Sequence, residues 1–277
     1  MKQLFLALAL VVAVPTFAQD KKEKKEKKEK EEKKPKKDEK FFYKNATIET
    51  DDYKLYIEDA VALEGFSKFK IKVFNKTNDF LFVKASEMLF ISGDKSISNS
   101  EKPFVVSPND EGSKVVDFKG TEMQVKNYTL ELKGIYKASA NGKTMDVPLF
   151  DLPASKNDFT VGNFSCLLKD YKANTDRAYA KFECTYSGDN IGIINPYKAA
   201  CIMPNGVENA TSKRSKGVLL ERGNSETFSL TFDEMVGAGD LQKKPIKVKW
   251  NDTFKEGKLT RLADSKIVLE QDTEKKK

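Results

Sequence analysis

One pattern recurs along this chain at a constant offset, and it restricts the possible folds more than any other feature. Tyr53-Lys-Leu-Tyr-Ile-Glu-Asp59 lines up with Phe164-Ser-Cys-Leu-Leu-Lys-Asp170, Lys70-Ile-Lys-Val73 with Lys181-Phe-Glu-Cys184, and Glu87-Met-Leu-Phe-Ile91 with Lys198-Ala-Ala-Cys-Ile202, each pair 111 residues apart. Further on, Val116-Asp-Phe118 matches Leu230-Thr-Phe232 at 114, and Tyr128-Thr-Leu-Glu-Leu132 matches Ile246-Lys-Val-Lys-Trp250 at 118. The offset grows only between segments, as insertions in connecting loops make it grow. Within the segments apolar and polar residues alternate, the period of a strand with one buried face. No long stretch shows the helical period, and Gly, Asn and Asp separate the runs as turn residues do.

A repeated unit of this kind predicts two homologous all-β modules. They are expected at 41–153 and 158–270, joined by a linker at 154–157 (Ala154-Ser155-Lys156-Asn157) and followed by a charged tail at 271–277. Each has about seven candidate strands in ~110 residues, a size that suits a β-sandwich. In the first module the strands are expected near 47–58, 68–75, 79–84, 87–92, 113–119, 127–138 and 143–151. Asn141-Gly142 predicts a hairpin between the last two, because both residues tolerate the positive φ that a type I′ turn requires; Glu256-Gly257 takes that place in the second module.

Val106-Ser-Pro-Asn-Asp-Glu-Gly112, a Pro- and Gly-bearing turn, precedes a strand ending in Phe118 and then Lys126-Asn-Tyr-Thr-Leu-Glu-Leu132 with its Tyr-x-Leu core. This order resembles the immunoglobulin-like domains of secreted bacterial envelope proteins. The resemblance implies two tandem immunoglobulin-like β-sandwich domains. It implies no particular activity, since this sandwich hosts many roles.

The N-terminal part reads differently. Residues 1–18 have the order of a secretory signal peptide: Lys2, an apolar core from Leu4 to Val14, the break at Pro15, then Thr16-Phe17-Ala18 at the cleavage point. The apolar run is shorter than the roughly 20 residues that a membrane-spanning helix needs. The mature chain is therefore expected to begin at Gln19, with no transmembrane segment, in the bacterial periplasm, at the cell surface or secreted. Residues 19–40 form a charged spacer in which 21–40 hold 12 lysines, 6 glutamates and 1 aspartate, a net of +5 out of +7 for the whole chain. With nothing apolar to bury, such a segment is expected to be disordered. It serves as a spacer or makes electrostatic contact with an anionic surface; nucleic acid is not expected, as arginine is scarce and no aromatic interleaves the lysines.

All three cysteines fall in the second module, at Cys166, Cys184 and Cys201, against Leu55, Val73 and Phe90 in the first. Either all three are small buried hydrophobes, or two of them bond. Residues that pair across a hairpin are centred on its turn. Cys166 and Cys184 centre on Asn174-Thr175-Asp176, which makes them the candidate disulfide, with Cys201 left free and buried.

The chain has no histidine. That removes Ser-His-Asp and Cys-His catalysis and most catalytic zinc sites, and the cysteine spacings fit no zinc motif. Phosphate-binding glycine loops are absent. No catalytic residue, cofactor or metal ligand is assigned. Asn109-Asp110-Glu111 and Ser187-Gly188-Asp189-Asn190 offer oxygen ligands without an EF-hand's spacing and read as turns. A carboxylate-based hydrolase survives the census but has no pair of acids that stands out. Glycan binding needs an exposed aromatic platform, and Trp250, the one tryptophan, aligns with Leu132 on an inward face; Phe41-Phe42-Tyr43 is the remaining aromatic cluster. The leading expectation is a non-enzymatic extracytoplasmic protein that works through surface contacts with a protein or envelope polymer. A glycan- or ligand-binding protein is the alternative.

Overall fold

The computed structural model describes residues 39–139, 142–212, 216–233 and 240–275. The signal segment 1–18, most of the charged spacer and Asn141 of the expected hairpin lie outside the described residues. Among the described residues every strand pair is antiparallel, and the structure is all-β apart from two short 3-10 turns at Ala85–Glu87 and Pro196–Lys198. In chain order the first strands are β1 Phe41–Phe42, β2 Ala46–Glu49, β3 Tyr53–Leu63, β4 Phe66–Asn75, β5 Phe80–Val83, β6 Leu89–Ser92, β7 Lys95–Ile97, β8 Phe104–Val106, β9 Glu111–Lys119, β10 Asn127–Leu132 and β11 Ile135–Ala138. Then come β12 Lys143–Thr144, β13 Phe150–Leu152, β14 Asp158–Val161, β15 Phe164–Ala173, β16 Ala178–Tyr186, β17 Ile191–Ile194, β18 Ala200–Ile202, β19 Glu208–Ala210, β20 Val218–Leu220, β21 Ser225–Phe232, β22 Ile246–Lys249, β23 Phe254–Gly257, β24 Leu259–Arg261 and β25 Ser265–Glu270.

These strands build the same pairing scheme twice. In one half the sheets are β1-β3-β4-β9 with β2 also on β3, then β25-β10-β6-β7 and β24-β11-β5-β8. In the other they are β14-β15-β16-β21, β13-β22-β18-β19 and β12-β23-β17-β20. The register repeats as well. Leu55 faces Val73 in β3–β4, and Cys166 faces Cys184 in β15–β16. Phe90 faces Leu130 in β6–β10, and Cys201 faces Val248 in β18–β22. Slipping either pair by one residue would turn its apolar set to solvent, so burial locks the register.

The pairing also crosses the boundary that the sequence suggests at 154–157. β12 and β13 pair with β23 and β22 of the other half, while β24 and β25 return from there to pair with β11 and β10. Each half is thus closed by the other's strands, and from Asp38 onward the chain is one compact unit. This corrects two sequence expectations. The segment 143–151 is not the hairpin partner of 127–138, since β11 lies between β5 and β24. Glu256-Gly257 is strand, not turn. The physical reason is that alternation specifies which face is buried but not which neighbour supplies the adjacent backbone, and both candidate neighbours bury the same face. The expected strand 127–138 is also two strands in two sheets, broken at Gly134. That residue sits at φ +79°, with Lys84 O only 2.6 Å from where a Cβ would lie, so only glycine fits the corner.

The cores follow the exchange. Leu55, Val73, Phe90, Phe118, Tyr128 and Leu130 form the first core, and Leu269 of β25 completes it. Phe164, Phe182, Phe228, Val248 and Trp250 form the second, with Phe150 and Leu152 supplied by β13. A third cluster lies between the halves: Phe80, Phe82, Ala138, Ile191, Ile193 and Leu219. It exists because β5 and β17 are buried on both faces. In β5, Leu81 and Val83 point into the first core, and Phe80 and Phe82 point across to β17.

Candidate functional site

The junction between the halves is where the surface becomes concave. Its apolar centre is closed, but grooves open at its margins. One, of about 710 Å³, is lined by Asp189, Asn190, Glu221, Arg222 and Lys258. The other, of about 550 Å³, runs beside β8 and β20 over Phe82, Val105 and Leu219. Both volumes fall in the range of small-molecule and peptide sites.

The first groove is polar, and ion pairs occupy most of its charge. Lys84 Nζ donates to Glu221 Oε1 at 2.6 Å, tying one half to the other, and lies over the rings of Phe82 and Tyr136 at 5.6 and 5.1 Å. The lysine is mostly covered, and a cation over an aromatic face gains more once water is removed. The Tyr136 hydroxyl lies 3.0 Å from both Glu87 carboxylate oxygens, and burial together with that carboxylate raises its pKa above the usual phenol value. Arg222 donates to Asp189 Oδ1 at 2.6 Å on the exposed rim. The arrangement is an electrostatic clasp in which Glu221, Arg222 and Asp189 are held in ion pairs, while Lys258 on the lining has no carboxylate partner among the described residues.

The cysteines lie away from the junction. Cys166 in β15 and Cys184 in β16 are directly opposed, with Cα atoms 4.1 Å apart, and their sulfurs are bonded. Both are buried, as are Leu55 and Val73 at the same places in the other half. Cys201 is a free, buried thiol whose pKa burial raises to about 11, which leaves it protonated and unreactive at neutral pH.

The loop acids are engaged locally. Asp110 Oδ1 accepts the Glu111 amide at 2.8 Å, Asn109 takes a positive φ of 51°, and Asp189 is held by Arg222. No group of three or more His, Cys, Asp or Glu is arranged to hold a metal among the described residues. Glu49 is held below the usual carboxylate range by Lys76 and Lys54, and Glu131 by Lys133 and Lys266, the opposite of the upward displacement a general acid needs. Trp250 is 1% exposed, packed among Phe150, Phe159, Phe182, Phe228 and Phe254. Phe41 and Phe42 are half-buried in β1 against Val61 and Ala62, and Tyr43 is buried with its hydroxyl donating to Val125 O at 2.8 Å. Asn75, one of six Asn-x-Ser/Thr sequons, is fully buried and donates to backbone carbonyls of Asp79, Val106 and Ser107, which makes it a structural residue.

Sequence reasoning missed the grooves because they lie between strands contributed by different halves. The signal that could have found them is the unbroken apolar run in Phe80-Leu-Phe-Val83 and in Ile191-Gly-Ile-Ile194, where alternation fails because both faces are covered.

No family model matches the chain, and no curated protein matches it. Among solved structures it overlaps a β-glucosidase from Kluyveromyces marxianus at 8% identity and a TM-score of 0.23, covering 74% of this chain and 45% of that one. It also overlaps a β-porphyranase of glycoside hydrolase family 86 from the human gut bacterium Bacteroides plebeius at 12% identity and a TM-score of 0.17, covering 81% of this chain and 37% of that one. The chain spans less than half the length of either enzyme. At these TM-scores neither likeness bears on fold or activity. No described helix is long and apolar enough to cross a membrane.

Proposed function

We propose that this is a non-enzymatic extracytoplasmic protein, built of two immunoglobulin-like modules that trade their closing strands, and that it works by surface contact with a protein or envelope polymer. The observation that carries the reading is the reciprocal exchange of β12–β13 and β24–β25. It joins the two modules by continuous strand pairing, which suits holding a partner on the outer surface. The signal-like segment 1–18 and the Cys166–Cys184 bridge are of a piece with export to an oxidising compartment. The charged segment 19–40 sets the modules off from a surface or meets an anionic one.

The junction grooves favour a second reading, a ligand- or glycan-binding protein, since concave sites at module interfaces are where ligands bind. A hydrolase ranks behind both, because the two acids that line the polar groove, Asp189 and Glu221, are each held by a cation.

Expression of the full chain in a bacterial host tests the leading reading. Intact mass should show a chain starting at Gln19 in the extracytoplasmic fraction. Alkylation after unfolding without reductant should modify one thiol, that of Cys201. A cytoplasmic chain retaining Met1 with three alkylated cysteines refutes it, and selective retention of one glycan on an array moves the case to the second reading.

A further inference from the structure

The groove beside β8 and β20 differs from its polar neighbour in three ways that together describe an occupant. First, it is two-sided: β8 and β20 are the outermost strands of their sheets and hold equivalent places in the two halves. Second, its floor is apolar, with Phe82 and Leu219 buried and Val105 half-buried. Third, Lys102 and Lys216 stand on its rim, each two residues ahead of its strand, and neither is paired with a carboxylate among the described residues. They are 114 residues apart, the same offset as Val116 and Leu230, so the lysines are equivalent too. Among the described residues Glu226 is the one acid on the lining.

We propose that this groove binds an extended peptide with an apolar centre and acidic flanks, added as a strand along the outer edge of β8 or β20. A terminal strand offers unpaired backbone donors and acceptors on one side, and strand addition uses them. Alternate side chains of the peptide then reach the Phe82–Leu219 floor, and its acidic flanks meet the two lysines. A second copy of this chain is a poorer occupant. A two-fold self-contact sets the same patch against itself, which brings lysine toward lysine. The proposal rests on the contact reading for its class of partner but not on export, so it can fail alone.

Fluorescence polarisation with the purified chain from Gln19 tests it. The probe is labelled Glu-Thr-Val-Thr-Val-Thr-Glu, compared with its lysine-flanked counterpart. The acidic probe should bind at least fivefold more tightly, the scale of two solvent-exposed ion pairs. The exposed double variant Lys102→Glu/Lys216→Glu should reverse that order without changing the circular dichroism spectrum. N-methylation of the probe's amides should weaken binding at least tenfold. Equal binding of both probes, a preference the double variant leaves unchanged, or indifference to N-methylation overturns the proposal. So does a concentration-dependent dimer that blocks the probe, which makes a second copy the occupant.

Discussion

Cutting the chain between its two repeats should not separate them. The loop between β13 and β14 exposes Ser155 and Lys156, so a protease site inserted after Ala154 is accessible and disturbs no strand. After cleavage the pieces remain connected by the exchanged pairs β10–β25, β11–β24, β12–β23 and β13–β22 and by the junction cluster. Counting only the large apolar side chains, Phe150, Leu152 and Leu269 are buried in the opposite half's core, and Phe80, Phe82, Ile191, Ile193 and Leu219 lie between the halves. At about 1.5–3 kcal/mol for each fully buried side chain, these eight contribute roughly 12–24 kcal/mol gross. Association costs about 4–15 kcal/mol in lost freedom. The middle of that range leaves a dissociation constant below about 1 μM, which corresponds to 8.2 kcal/mol. At about 10 μM the cleaved protein should therefore elute from a sizing column at the mass of the intact chain, with its circular dichroism unchanged. The pieces should separate only in denaturant and re-form one species on remixing. Two folded pieces that elute independently in buffer would show that each repeat closes its own sheets, and the exchange argument would be wrong.

Other consequences are more local. Trp250→Ala removes the ring on which five phenylalanines converge and should cost about 3–5 kcal/mol in urea unfolding, whereas Leu132→Ala, at the matching place in the other half, should cost about 2–5. Reducing the Cys166–Cys184 bridge, which spans 18 residues, should cost roughly 3 kcal/mol by loop entropy, yet Cys166→Leu/Cys184→Val should fold, because Leu55 and Val73 fill those places in the other half. Tyr43 ionises at about 12 in the folded protein, where burial opposes the phenolate more than its bond to Val125 O favours it, against 10 unfolded. Its contribution is complete below pH 10 and is lost as pH rises from 10 toward 12, roughly 3 kcal/mol in all; Tyr43→Phe should flatten that part of an alkaline stability profile.

How much of this was readable in the sequence depends on what each signal encodes. Alternation and the 111-residue offset carry the strands and their inward faces. That is why Leu55 opposite Val73 and Cys166 opposite Cys184 occupy one register, and why Trp250, aligned with Leu132, lies inside. Both are local properties of a strand and its hairpin neighbour. The exchange is not local. β13 and β25 alternate like any other half-buried strand, and the two halves repeat one pairing scheme, so a segment fits either sheet with the same face inward. The outcome is that β12 lies in the other half from β11, and β24 in the other half from β23, so the chain crosses the junction at both steps instead of turning back on itself. Hence the apolar groove, whose walls come from β8 and β9 on one side and β20 and β21 on the other, could not be assembled from any single stretch of sequence. The signal that the sequence does hold is an anomaly: Phe80-Leu-Phe-Val83 and Ile191-Gly-Ile-Ile194 are apolar on both faces, more than one core can use. In β17 the constraint is tightest, because Gly192 leaves room for the Tyr186 and Phe164 rings, each under 3 Å from where its Cβ would sit, while Ile191 and Ile193 face the other half. A two-faced strand in a half-buried sheet implies a second body against it, and here that body is the chain's own repeat.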